Sequence, residues 1–147
     1  MNYHSITYPD QNNGDGLRVV LWLSGCSHNC YKCQNPQTHD PNSGILFDEK
    51  AEEELFSELG KDYISGLTFS GGDPLNENNL DGVLNLVNEI RLLMPEKTIW
   101  LYTGYSFEEI VNPHVKWLDF IADKKTNICS FSNEEYRSLQ RYWILKK

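Results

Sequence analysis

Cys26, Cys30 and Cys33 stand within eight residues, spaced C-x3-C-x2-C, in the run Cys-Ser-His-Asn-Cys-Tyr-Lys-Cys. Three thiolates so close together can hold one metal centre from a single loop. They fall one short of the four ligands of a closed structural zinc site or an ordinary four-iron cluster. A four-iron cluster held by three cysteines leaves one iron without a protein ligand, and a substrate can bind at that corner. The spacing therefore points to an iron–sulfur cluster and to catalysis. Zinc is the alternative, with His28, His39 or Cys129 as a fourth ligand. Zinc sites of this kind usually pair two half-sites about a dozen or more residues apart, and no second half is present here. A disulfide framework is poorly supported, because three clustered thiols cannot all pair locally and Cys129 is the one other cysteine.

A second motif, Ser70-Gly71-Gly72-Asp73-Pro74, admits two readings. Glycines permit positive φ and Pro74 pre-sets a turn, so the run can be a tight strand-to-helix connection with Asp73 capping it. Glycines also let backbone N–H and C=O groups approach a ligand with no Cβ in the way. The remaining histidines, His4, His28, His39 and His114, show no partner pattern and read as surface residues.

The elements that must position these motifs follow from periodicity. Leu17 to Ser24 is rich in branched and aromatic residues and reads as a buried strand ending at Gly25, directly before the cysteine loop. The loop runs to about Gly44. Asp48 is a candidate N-cap for a helix with Leu55, Phe56 and Leu59 on its buried face and Gly60 at its end. A second strand covers Ile64 to Ser70 and stops at the Gly-Gly turn. Leu80, Val83, Leu84, Val87, Ile90 and Leu93 or Met94 recur at helical spacing until Pro95. Thr98 to Tyr102 is a third strand ending in Thr103-Gly104. Ser106 and Glu109 form a capping box for a short helix. Trp117 to Ala122 is a weaker fourth strand, and Ser132 with Glu135 could cap a last helix.

Strands alternating with helices imply parallel βαβ units. A complete eight-stranded barrel takes about 250 residues, and this chain has 147. The expected fold is α/β, an open, partial (β/α) barrel with a mostly parallel sheet, in one domain spanning residues 1–147. Ligands sit at the C-terminal strand ends in such folds. The cysteine loop, the Gly-Gly-Asp-Pro turn and the Tyr102-Thr103-Gly104 turn should then face one cleft.

Hydrophobic residues make up 39% and charged residues 23%, with a net charge of −8. That acidic balance disfavours nucleic acid and anionic membranes as partners. The N-terminal run has no apolar h-region, so no signal peptide is expected, and no apolar run approaches transmembrane length. Unpaired cysteines point to a reducing cytoplasm.

The C-x3-C-x2-C loop after the first strand and the Gly-Gly turn after the second resemble those of radical S-adenosylmethionine (SAM) enzymes. Met1-Asn2-Tyr3-His4, Asn13-Gly14-Asp15-Gly16, Ser24-Gly25-Cys26, Ser70 to Leu75 and Ile99 to Tyr105 are similar to the activating proteins of anaerobic ribonucleoside-triphosphate reductase. The resemblance covers residues 1 to 112 in order. Two positions depart from it. Lys32 stands where many radical SAM enzymes place an aromatic residue. After Ile121 the chain reads Ala-Asp-Lys-Lys-Thr, without the Asp-Gly-Lys/Arg-Phe strand end of the family, so residues 123–147 form an atypical C-terminal segment.

The resemblance implies that Cys26, Cys30 and Cys33 bind a [4Fe-4S] cluster. It implies that Lys32, Cys33 and Gln34, with Gly71, Gly72 and Asp73, line the SAM site. Thr68, Ser70 and Thr103 are further possible contacts, though strand-end hydroxyls are as often satisfied locally. Trp100 and Tyr102 fit a core or cleft wall. The implied reaction is reductive cleavage of SAM and abstraction of hydrogen from a glycine of the reductase large subunit. A flavodoxin-like or other low-potential donor would supply the electron. Activation of another glycyl-radical enzyme is a rival target, although such activases commonly carry extra ferredoxin-like cysteines. A non-catalytic zinc-binding interaction module is the rival from another class.

Overall fold

The computed structural model describes residues 1–110, 126–130 and 143–145. Its chain order is β1 (Asn2–Asp10), β2 (Leu17–Leu23), a 3-10 turn (Pro36–Thr38), β3 (Ile45–Leu46), α1 (Glu49–Leu59), β4 (Ile64–Gly71), α2 (Leu80–Leu93), β5 (Thr98–Thr103), α3 (Phe107–Ile110), β6 (Thr126–Ser130) and β7 (Trp143–Leu145). The described strands form one sheet in the order β3-β1-β2-β4-β5-β6-β7.

The centre of the sheet, β2-β4-β5-β6, is parallel, as the alternation of strands and helices predicts. Its edges are antiparallel, through β1 with β2, β1 with β3, and β6 with β7. The sheet is therefore mixed rather than mostly parallel. The antiparallel strands escape a periodicity reading for a physical reason. Only Tyr3 of β1 is buried, so the strand carries little apolar signal. β3 has two residues, both exposed. The expected strand over Trp117 to Ala122, the helix capped by Ser132, and His114 lie outside the described residues.

The helices form where capping and spacing place them. The Asp48 carboxylate accepts the Ala51 N–H at 3.0 Å at the start of α1, and Gly60 is its C-cap. Glu109 accepts the Ser106 N–H at 2.7 Å, while the Ser106 hydroxyl accepts the Glu109 N–H at 3.3 Å, which is the capping box of α3. α1 and α2 bury Leu55, Leu59, Val83, Val87 and Ile90 in one core with Val19, Leu21, Leu23, Leu67, Phe69, Ile99 and Leu101. Those strand positions alternate, so both helices cover the same face of the sheet.

The opposite face carries Arg18, Thr68 and Trp100. Arg18 is fully buried. Its guanidinium donates to the Thr68 hydroxyl at 2.6 Å, the Leu67 carbonyl at 2.7 Å, and the Asp15 and Thr98 carbonyls at 3.0 Å. It also lies 5.9 Å from the centre of the Trp100 ring. Burial pulls its pKa down to about 10, which still leaves it charged at neutral pH. The Asn13-Gly14-Asp15-Gly16 run is thereby explained as a loop folded over this end of the sheet. Its Asn13 carbonyl accepts the Thr68 hydroxyl at 2.6 Å. Arg18→Leu removes every one of these donors and leaves buried carbonyls unpaired. The expected cost is about 3 kcal/mol, or a fall of roughly 10 °C in melting temperature for a domain of this size. Calorimetry of the metal-free protein measures it, and a loss below about 1 kcal/mol would show that the carbonyls find other partners.

Candidate active site

The parallel register brings the C-terminal ends of the central strands to one edge. Leu23 of β2 lies beside Gly71 of β4, and Thr103 of β5 beside Ser130 of β6. The cysteine loop, the Gly-Gly turn and the Thr-Gly turn all leave from this edge, as expected. Backbone bonds tie the first two together. Gly72 N–H donates to the Leu23 carbonyl at 2.7 Å, and Asp73 N–H to the Gly25 carbonyl at 2.9 Å. The Asn79 side-chain amide, fully buried at the start of α2, donates to the Ser24 carbonyl at 2.7 Å and the Asp73 carbonyl at 2.9 Å.

Cys26, Cys30 and Cys33 are all free thiols, each half-buried. The chain turns between them through left-handed residues, Asn29 at φ 46° and Lys32 at φ 56°. Asn35 N–H donates to Cys33 Sγ at 3.4 Å. Burial pushes the Cys26 thiol up to about 11, against a backbone hydrogen bond from His28 that favours the thiolate. Burial also raises Cys30. Backbone N–H groups aimed at two of the three sulfurs suit a thiolate-bound iron–sulfur cluster, whose sulfurs accept such bonds. Three free thiols with these N–H partners are a donor set that fits such a cluster. Cys129 lies within β6, paired with Tyr102 and Ile144, and is buried. Burial pushes its thiol up to about 12.

The glycines of the second motif have a packing reason that the sequence left open. Gly71 has φ 86°. A Cβ on Gly72 would meet the Gly25 carbonyl oxygen at 2.7 Å and the Gly25 nitrogen at 3.0 Å. The missing side chain lets the cysteine loop lie directly on the turn. Lys32 and Gln34 are exposed on the rim of the loop, with the Lys32 ammonium 5.4 Å from the Tyr31 ring.

Asp73 is buried at 3% exposure and does more than cap the turn. Its carboxylate accepts the Leu75 N–H at 2.9 Å, the Thr103 hydroxyl at 2.9 Å and the Gly104 N–H at 2.8 Å. It also faces His28 Nε2 at 2.7 Å. Thr103 and Thr68, both buried, are thus engaged within the protein, while Ser70 is half-buried at the strand end. Trp100 is buried over Arg18, and Tyr102 is half-buried with its ring centre 6.5 Å from that of Trp100.

His28 is not the surface residue that its isolated position suggests. Its side chain is 15% exposed and packs edge-on against Tyr105, with ring centres 4.5 Å apart. Hydrogen bonding to Asp73 raises its pKa, against the opposing effect of burial. The signal available in the sequence was only that a histidine sits inside the cysteine run. His4 meets the Ser43 hydroxyl at 3.0 Å. His39 is half-buried, and its Nε2 has no protein hydrogen-bond partner.

Comparison with known proteins agrees with this geometry. A family model described as a 4Fe-4S single cluster domain matches residues 12–141, past the point where the C-terminal motif departs. The chain is 46% identical over 126 residues to the anaerobic ribonucleoside-triphosphate reductase-activating protein of Enterobacteria phage T4, covering 85% of this chain and 81% of that one. It is 39% identical over 123 residues to the protein of the same name from Escherichia coli K12, covering 82% and 80%. The Vibrio cholerae protein of that name is 37% identical over 130 residues, covering 85% and 84%. A chain with three free cysteines on one strand-end loop, a 4Fe-4S domain match and likeness of this extent belongs to the family of anaerobic ribonucleoside-triphosphate reductase-activating proteins.

Proposed function

We propose that this chain is a radical SAM activase that installs a glycyl radical on the large subunit of an anaerobic ribonucleoside-triphosphate reductase. The observation that carries the reading is the placement of three partly exposed thiols and the Gly-Gly-Asp-Pro turn at one sheet edge, joined by direct backbone bonds. Cys26, Cys30 and Cys33 would each hold one iron of a [4Fe-4S] cluster. When reduced, such a cluster would supply the one electron needed to break the S–C5′ bond of SAM, the chemistry by which hydrogen would be taken from a glycine of the reductase. The protein's own work is binding, orientation and exclusion of water.

Gly71 and Gly72 would lie at the strand end nearest the methionine part, with the Gly72 N–H itself already donated to the Leu23 carbonyl. Lys32 and Gln34, on the exposed rim of the loop, would stand near adenine or ribose. Asp73 acts through the bonds that shape the edge, since its carboxylate is already shared among four donors. Strand order rises steadily from β2 through β4 and β5 to β6 with α1 and α2 on one face. This progression supports an open, partial barrel whose C-terminal strand ends would receive SAM. The electron would come from a flavodoxin-like or other low-potential donor. No described helix is long and apolar enough to cross a membrane, and free thiols suit a reducing cytoplasm.

Anaerobic reconstitution followed by dithionite and SAM tests the reading. The protein should turn brown, load about four irons per chain and release 5′-deoxyadenosine and methionine in equal amounts. A colourless zinc protein that leaves SAM intact would instead establish the interaction-module alternative.

A further inference from the structure

We propose that His28 is a positioning residue that fixes the cysteine loop to the Gly-Gly turn and to the end of β5. The cluster loop and the SAM-facing edge would then move as one unit. The proposal rests on the radical SAM reading and adds a residue to it.

The loop has no apolar anchor of its own. Between Leu23 and Ala51 no hydrophobic side chain is buried. The loop is held instead by polar contacts: at its base the Gly25 carbonyl accepts the Asp73 N–H, and the N–H groups of Gly25 and Cys26 bond to Thr38 and His39 of its own return segment. His28 sits in the wider gap of the motif, between Cys26 and Cys30, and reaches across to Asp73 at 2.7 Å. Asp73 is held from the sheet side by Thr103, Gly104 and Leu75, so it offers a fixed acceptor.

The β5 end is shaped to receive the ring. A Cβ on Gly104 would meet His28 Cδ2 at 2.5 Å and Cγ at 2.7 Å. Tyr105 stacks edge-on against the same ring. The Tyr105 hydroxyl also engages the Ser27 side chain. Three short motifs far apart in the chain therefore meet on one imidazole. A residue that only filled space would not need a buried carboxylate, a glycine and an aromatic ring from two other strand ends.

His28→Ala, His28→Gln and Gly104→Ala test this. Glutamine can place an N–H near the position of Nε2, whereas alanine cannot. In metal-free protein, His28→Ala should speed hydrogen exchange of the loop amides from Cys26 to Cys33 about tenfold, leaving β2, β4 and β5 unchanged. After reconstitution it should load iron normally, bind SAM about tenfold more weakly, and show a smaller SAM-induced change in the EPR spectrum of the reduced cluster. His28→Gln should recover most of each effect, and Gly104→Ala should reproduce the loss from the opposite side. Wild-type exchange rates and SAM affinity in an iron-loaded His28→Ala protein would overturn the proposal. If wild-type protein shows no SAM-dependent spectrum while loop exchange still responds to His28, the radical SAM reading fails and the positioning role stands. Should His28→Ala not fold, His28→Gln against His28→Asn decides, because the shorter amide stops short of Asp73. Equal behaviour of those two would also overturn it.

Discussion

Cys30→Ser is expected to give a folded protein that assembles no intact four-iron cluster and forms no detectable 5′-deoxyadenosine. The fold should survive because Cys30 adds nothing to the core. Its thiol is half-buried, and the bond it makes to the backbone of Cys33 at 3.1 Å uses its own carbonyl. The cluster should not survive, because a serine oxygen is a hard donor where iron–sulfur chemistry selects soft thiolates, and two remaining cysteines cannot hold a cubane. Cys26→Ser and Cys33→Ser should behave alike. Cys129→Ser should keep its iron, since that thiol is buried within β6. Iron and sulfide analysis with the visible spectrum reads the outcome. Full iron loading in Cys30→Ser, or loss of the cluster in Cys129→Ser, would overturn the ligand assignment.

Radical transfer to the reductase is the second all-or-none expectation under the proposed function. The loop that would carry the cluster is accessible to a macromolecular partner. Tyr31 is 68% exposed, and Lys32 and Gln34 are exposed beside it. Wild-type protein with SAM and a low-potential donor should therefore generate a glycyl radical on its cognate reductase. Cys30→Ser should generate none, which makes the effect as large as the assay can record.

Much of this architecture was legible in the sequence, and the exceptions have physical causes. α2 declared itself through apolar residues at helical spacing, and the structure confines the helix to Leu80–Leu93. β2, β4 and β5 are apolar because they are central strands, so their runs are unambiguous. β6 reads Thr-Asn-Ile-Cys-Ser and owes its strand state to pairing with Ile99 through Thr103, which no local pattern reveals. β1, in which only Tyr3 is buried, likewise owes its strand state to its pairing with β2. Within the site, the three cysteines were legible because their chemistry depends on local spacing alone. His28 was not, because its partner lies 45 residues away and its room is made by Gly104. The role of Arg18 needed the carbonyls of Leu67 and Thr98 to be seen.

EPR spectroscopy of the reductase after anaerobic incubation with this protein, SAM and reductant tests the central claim most directly. The account predicts the doublet of a glycyl radical on the reductase, with 5′-deoxyadenosine formed alongside it and neither signal when Cys30 is serine. A cluster-loaded protein that cleaves SAM yet leaves a competent reductase without that doublet would contradict the proposed target.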